Sequence, residues 1–462
     1  MSYATARSRQ ANGDTNKLYP EDRAAHDWYR FVLSFPPHLV RDYLRRFGID
    51  GGHRVLDPFC GTGTTLVECK KLGVPSIGVE AHPVAAFASR VKVDWNPDPD
   101  GLVEHSQGIA EATLAELAAE GMQDDAALRL RIAEGGARQF RTLSPEQLKL
   151  LLTDSISPLP LHKTLVLLDH LNRHEGSRYH GHELLALARA LVQVISNLHF
   201  GPEVGISPAK PDAPVVSSWR DRVDAMADDL RCLPKGRDCP SRVYQADARR
   251  IGEVLEPGSI DAVITSPPYP NEKDYTRTTR LESVLLGFVR SKQELQTLKR
   301  GLVRSNTRSV YKEDEDDRWV AAHPEIQRIA EAIEARRIEL GKTSGFERMY
   351  ARVTRQYFGG MARHLASLRT VLRPGAQLAY VVGDQASYLR VMIRTGELLA
   401  DLARSLGYEV AGIDLFRTRL ATATKAQLRE EVVLLRWPGR SATDGKCLNA
   451  VACGDSPSVA TL

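Results

Sequence analysis

The chain has 462 residues, 42% of them hydrophobic and 26% charged, with a formal net charge of +4. That composition suffices for one large core with a second lobe or long insertions, and it excludes a mainly disordered chain. No apolar run approaches the roughly eighteen residues of a membrane span, and the N-terminal stretch MSYATARSRQANGDTNK lacks the hydrophobic segment of a secretory signal, so a cytoplasmic protein is expected. The slight basic excess fits a nucleic-acid partner and equally fits many enzymes. Six cysteines, at positions 60, 69, 232, 239, 447 and 453, include no pair of CxxC half-sites, and ordinary thiols with no metal are expected.

Residues 1–24 read as a flexible arm, and residues 25–95 as an N-terminal helix with the first half of an α/β core. Pro36 and Pro37 precede an amphipathic run of Leu39, Val40, Tyr43, Leu44 and Phe47, which predicts an extended entry followed by a helix. HRVLDPFCGTGTTLVECKKLG then reads as strand, loop and helix, with Gly61 and Gly63 allowing close approach of a ligand and Thr64 opening the helix. The loop lacks both the Gly-Lys-Ser/Thr ending of a phosphate loop and the third glycine of a dinucleotide fingerprint. A second strand ends at Glu80, where a carboxylate can accept from both hydroxyls of a ribose, so a nucleoside-bearing ligand is expected.

Residues 96–240 are too long for an ordinary connection and show helical periodicity, which predicts a mainly helical insertion, for which the family resemblance given below implies a candidate DNA-recognition role. Residues 241–275 return to the core, with strand ends at Asp247, a candidate partner for an adenine amino group, and at Thr265, directly before Ser266, Pro267, Pro268 and Tyr269. An aromatic amine is a poor nucleophile until acceptors draw on its hydrogens. The Ser266 hydroxyl and the Pro267 carbonyl offer two acceptors, the prolines hold the backbone, and Tyr269 can stack on a base. Residues 276–345 form a basic helical insertion in which Arg290, Lys292, Lys299, Arg300 and Arg304 are candidate phosphate contacts, followed by the acidic run EDEDD. Residues 346–440 read as the rest of the core and 441–462 as a tail.

Together, DPFCGTGTT, Glu80, Asp247 and SPPY resemble the S-adenosylmethionine-dependent DNA amino-methyltransferases, specifically the cytosine-N4 class. The resemblance implies a Rossmann-like class I methyltransferase fold, with a seven-stranded, mostly parallel sheet. It implies S-adenosylmethionine as cofactor, with Phe35, Asp57, Phe59, Cys60, Gly61, Gly63, Thr64, Glu80 and Asp247 around it, and Ser266 through Tyr269 as catalytic loop. It further implies double-stranded DNA as partner, a flipped target base, and a restriction-modification or defence setting with cognate proteins. VLRPGAQLAYVVGDQ is similar to the strand pair after the catalytic loop, and LREEVVLLRW to the closing hairpin strand. Cys60 lies in the cofactor loop rather than beside the prolines, which argues against covalent attack. The glycine loop precedes SPPY, an order less usual for cytosine N4 that leaves adenine N6 or an RNA substrate open; an inactive nucleic-acid-binding protein and a nicotinamide oxidoreductase are less well matched.

Overall fold

The computed structural model describes residues 18–30, 34–124, 139–200, 203–234, 239–420 and 427–439. Most of the expected arm, the tail 441–462, Cys447 and Cys453 lie outside the described residues. Nine strands are described: β1 Val55–Asp57, β2 Ser76–Val79, β3 Leu198–Phe200, β4 Val204–Ile206, β5 Ser241–Tyr244, β6 Ile260–Thr265, β7 Leu372–Gly383, β8 Glu409–Leu420 and β9 Gln427–Arg436. Every residue of β1 and β2 is buried, the signature of parallel strands covered on both faces.

Alternation along the strands sorts the core into two layers. Val55, Ala262, Ile264, Ala379 and Val381 pack with Leu39, Val40 and Leu44 of the helix Pro37–Arg46. Leu56, Val263, Leu378, Tyr380 and Val382 face the other way, onto Phe358, Met361 and Leu365 of the helix Tyr350–Leu368 and onto Leu399 and Leu402 of Thr395–Ser405. The seven-stranded sheet runs β5-β2-β1-β6-β7-β9-β8. It is parallel through β7, and β9 enters antiparallel between β7 and β8. This is the Rossmann-like class I methyltransferase arrangement. Strand order reverses between β1 and β6, the switch point outside whose carboxyl ends such sheets hold ligands.

VLRPGAQLAYVVGDQ forms a single strand rather than a pair. Pro374 and Gly375 (φ 90°) interrupt it, so β6 register passes from Ile260 opposite Leu372 to Ala262 opposite Gln377. The first insertion is mainly helical, with Pro99–Ala119, Pro158–Arg173, His180–Ala190 and Val215–Cys232. It also contains the antiparallel hairpin β3–β4, an addition to the helical content that the periodicity predicts. Its apolar side chains, among them Trp219 and Leu185, share one cluster with Leu66, Val84 and Ala88 of the core helices. Among the described residues, no helix is long and apolar enough to cross a membrane.

Candidate functional site

A cavity of about 570 Å3 opens over the carboxyl ends of β1, β2, β5 and β6, a size in the range of small-molecule and cofactor sites. Its walls include Phe35, Phe59, Cys60, Gly61, Thr64, Glu80 and Asp247, and also Ser266, Pro267, Pro268 and Tyr269. The topology therefore brings together two segments that lie some two hundred residues apart in the chain. Asp57 and Gly63 stand behind the lining. Asp57 is fully buried, and its Oδ1 accepts from the Thr265 hydroxyl at 2.6 Å and from the Phe59 N–H at 3.2 Å. Burial pushes the Asp57 carboxyl up to about 6. Gly63 has φ 84°, and a Cβ there would lie 2.9 Å from the Ser89 hydroxyl, so both conformation and space require glycine.

Glu80 closes the loop from the other side. Its Oε2 accepts from the Gly61 N–H at 2.9 Å and its Oε1 from the His82 N–H at 2.7 Å. Burial outweighs both bonds and pushes its carboxyl up to about 7. Asp247 is fixed by Arg249, which donates from Nε to Oδ1 at 3.0 Å and from Nη2 to Oδ2 at 2.7 Å. The Cys60 thiol packs 3.7 Å from the Ser89 hydroxyl, and burial pushes its pKa well up, so it is held as a neutral thiol.

On the Ser266–Tyr269 side, the Ser266 hydroxyl donates to the Val381 carbonyl at 3.1 Å. The Asn271 N–H returns to the Tyr269 carbonyl at 2.8 Å, turning the chain after the prolines. Gly383 leaves room for the Tyr269 ring, since a Cβ there would approach Cε2 to 3.1 Å. Asp274 caps the next turn by accepting from the Thr276 N–H at 3.0 Å, and its other oxygen takes the Lys299 ammonium at 2.9 Å.

The basic cluster divides. Arg290, Lys292 and Arg300 are exposed, whereas Lys299 is spent on Asp274. Arg304 is buried, bidentate to Asp314 at 2.7 and 2.8 Å, and donates to the Lys299 carbonyl at 2.8 Å. The expectation that Arg304 meets phosphate is therefore corrected: its donors are consumed inside the fold, and the same internal pairing withdraws Lys299. Sequence reading missed Thr265, Asn306, Arg417 and Glu430 at or beside the cavity. Arg417 pairs with Glu430 across β8 and β9 at 2.6 Å. Only the position of Thr265 directly before SPPY gave a sequence signal for any of the four.

Residues 6–88 match a DNA methylase family model that groups amino-methylating enzymes of the N6 and N4 kinds. Over nearly its whole length the chain is similar to the type II methyltransferase M.BsoBI of Geobacillus stearothermophilus, 23% identical over 90% of this chain and 85% of the relative. The chain is a methyltransferase related to the DNA methylases. The type II methyltransferase M.AvaI of Nostoc sp. is likewise similar to this methyltransferase, 23% identical over 92% of this chain and 88% of the relative. The crystal structure of TrmN from Thermus thermophilus aligns at 11% identity and a TM-score of 0.30, over 90% of this chain and 52% of that one. The methyl donor of this methyltransferase is S-adenosylmethionine.

Proposed function

We propose that this methyltransferase transfers a methyl group to N4 of cytosine in duplex DNA, after rotation of the target base out of the helix. One observation carries the reading: the amine-accepting Ser266–Tyr269 segment and the glycine loop with Glu80 border the same cavity.

The residues present fit the donor. Each Glu80 oxygen accepts one backbone N–H and keeps a lone pair for a ribose hydroxyl. Gly61 and Gly63 keep side chains out of the loop, Phe35 and Phe59 supply apolar wall, and Asp247 is the acceptor for the adenine amine. Bound there, the donor supplies an electrophilic methyl group on a sulfonium. Everything else is done by the chain. Because the Ser266 hydrogen is given to Val381, Oγ can accept from the Tyr269 phenol and still keep a lone pair for the cytosine amine. The Pro267 carbonyl is the second acceptor, and together they draw the nitrogen toward tetrahedral geometry. Tyr269, whose phenol burial holds well above its ordinary pKa, stays neutral and stacks on the base. The amine proton, made acidic as the nitrogen takes the methyl group, passes to water without a dedicated base, and the gain comes from alignment and fixed dipoles.

Exposed Arg290, Lys292 and Arg300 supply phosphate contacts in this reading, and residues 96–240 supply the base-reading surface. Nucleoside mass spectrometry of unmethylated duplex DNA, incubated with the protein and S-adenosylmethionine, tests it. N4-methylcytosine is expected. N6-methyladenine, the outcome left open by the position of the glycine loop ahead of SPPY, would move the target atom and keep the roles of both loops. Ser266→Ala should lower kcat by about a hundredfold or more while DNA affinity holds.

A further inference from the structure

Asp247 does not hold its place alone. Its side chain is 18% exposed at the cavity, and both of its oxygens are bonded to Arg249, at 3.0 and 3.1 Å from Nε and 2.7 Å from Nη2. The Arg249 N–H adds a further bond at 2.9 Å. Oδ1 already takes two N–H groups, whereas the main bond to Oδ2 is the one from Nη2, so the clamp fixes the orientation of Asp247 and leaves a lone pair of Oδ2 for a ligand. Arg249 is itself 6% exposed and held from behind. Its Nη1 donates to Asp316 at 2.6 Å and its Nη2 to the Arg300 carbonyl at 2.9 Å. Asp316 is 8% exposed and takes Arg363 at 3.1 Å on its other oxygen, so two guanidinium groups and two carboxylates balance. Both outer supports, Asp316 and the Arg300 carbonyl, belong to the 276–345 insertion. Its backbone is seated with no spare room: a Cβ on Gly359 would lie 1.9 Å from the Asp316 carbonyl oxygen.

The geometry points to Arg249 as a positioning residue for cofactor recognition, clamping Asp247 toward the adenine amine, with Asp316 of the second insertion completing the clamp. The inference rests on the proposed facing of Asp247 to that amine. One residue of the five-residue acidic run that follows the basic cluster, Asp316, is thus part of the support of the cofactor site. A planar fork bonding both oxygens of one carboxylate is something lysine cannot reproduce, since an ammonium is a point donor.

The test compares the dissociation constants of S-adenosylhomocysteine and S-inosylhomocysteine, measured by calorimetry on the full chain. The two ligands differ where the amino group is replaced by a carbonyl oxygen, so their ratio reports the Asp247 contact and is insensitive to general loss of folded protein. The unsubstituted protein should prefer the adenosyl ligand by about tenfold to a hundredfold, the range of a hydrogen bond to a charged group. Asp247→Asn should collapse that preference. Arg249→Gln should collapse it nearly as far, Arg249→Lys partly, and Asp316→Asn, which touches no cavity residue directly, partly as well. A preference unchanged in the Arg249 and Asp316 variants but lost in Asp247→Asn would overturn the positioning role alone. A preference unchanged in Asp247→Asn would overturn the reading of Asp247 and this inference with it. If Arg249→Gln fails to fold, Asp316→Asn decides by the same ratio.

Discussion

The two insertions both carry buried charge, but they point it in different directions. Within 96–240 the pairs close on the insertion itself: fully buried Lys163 meets Asp212 at 2.7 Å, and half-buried Arg141 gathers Glu116, Glu120 and Asp169. Within 276–345 Arg304 likewise closes on Asp314, but Asp316 bonds to Arg249 and Arg363 of the core and Lys299 to Asp274 beside the Ser266–Tyr269 segment. Only Glu203 of the first insertion borders the cavity among the described residues, whereas Leu302, Ser305, Asn306 and Ser309 of the second do. The partner of a buried charge thus separates a body that maintains its own packing from one that shapes a neighbouring site.

Breaking one pair in each insertion tests that distinction. Asp212→Asn leaves the Lys163 ammonium buried with only distant carbonyls at 3.4 Å, and should cost about 3 kcal/mol of stability or more. Turnover per folded molecule should not change. Asp274→Asn should do the reverse, since it frees the turn that follows SPPY from Lys299; kcat falls about tenfold to a hundredfold, as a small misplacement of reacting groups costs. Urea titration beside turnover counted on folded protein separates the two. Equal losses of kcat in both variants would erase the difference between the insertions.

The same contrast explains what the sequence showed and what it hid. The glycine loop, Glu80 and Ser266–Tyr269 were legible because each motif is local: a buried strand, a turn that needs its residue types, and the element after it. The fold class was implied by the family resemblance that these motifs carry together. Arg304 was misread because composition cannot tell a solvated arginine from one whose carboxylate lies ten residues on, and nothing in the run EDEDD marks Asp314 and Asp316 as the members that turn inward. The β3–β4 hairpin is three residues a side and follows directly on a helical pattern, so its own period is too short to register. Arg249 gave no signal beyond its place two residues after Asp247; its importance comes from Asp316, 67 residues away.

A pH titration isolates the core from both insertions. In the cofactor-free protein burial raises the Glu80 carboxyl to about 7, while the two ribose hydroxyls need it ionised. Affinity for S-adenosylhomocysteine should therefore be constant above pH 7 and fall about tenfold per unit below it. The folding term has the opposite sign. A carboxyl raised in the folded state stabilises when protonated, and that contribution is lost as pH rises from its unfolded value through 7. Glu80→Gln should flatten the binding profile, and Asp316→Asn should leave its midpoint in place while lowering affinity throughout.

The smallest expected effect is also the most selective. DNA binding through phosphate contacts weakens with salt, each neutralised phosphate adding about 0.9 to the slope of log K against log salt. Arg290→Ala, Lys292→Ala and Arg300→Ala should each lower that slope by about 1 and weaken cognate and random duplexes alike. Arg304→Ala should leave the slope unchanged and lower the thermal midpoint instead, because its guanidinium already bonds both Asp314 oxygens and backbone carbonyls. The Arg141→Ala variant in the first insertion serves as control, since its charge is likewise consumed by internal carboxylates. A reduced slope in Arg304→Ala would mean that DNA draws the guanidinium out of its pair with Asp314. The second insertion would then rearrange on binding rather than present a preformed surface.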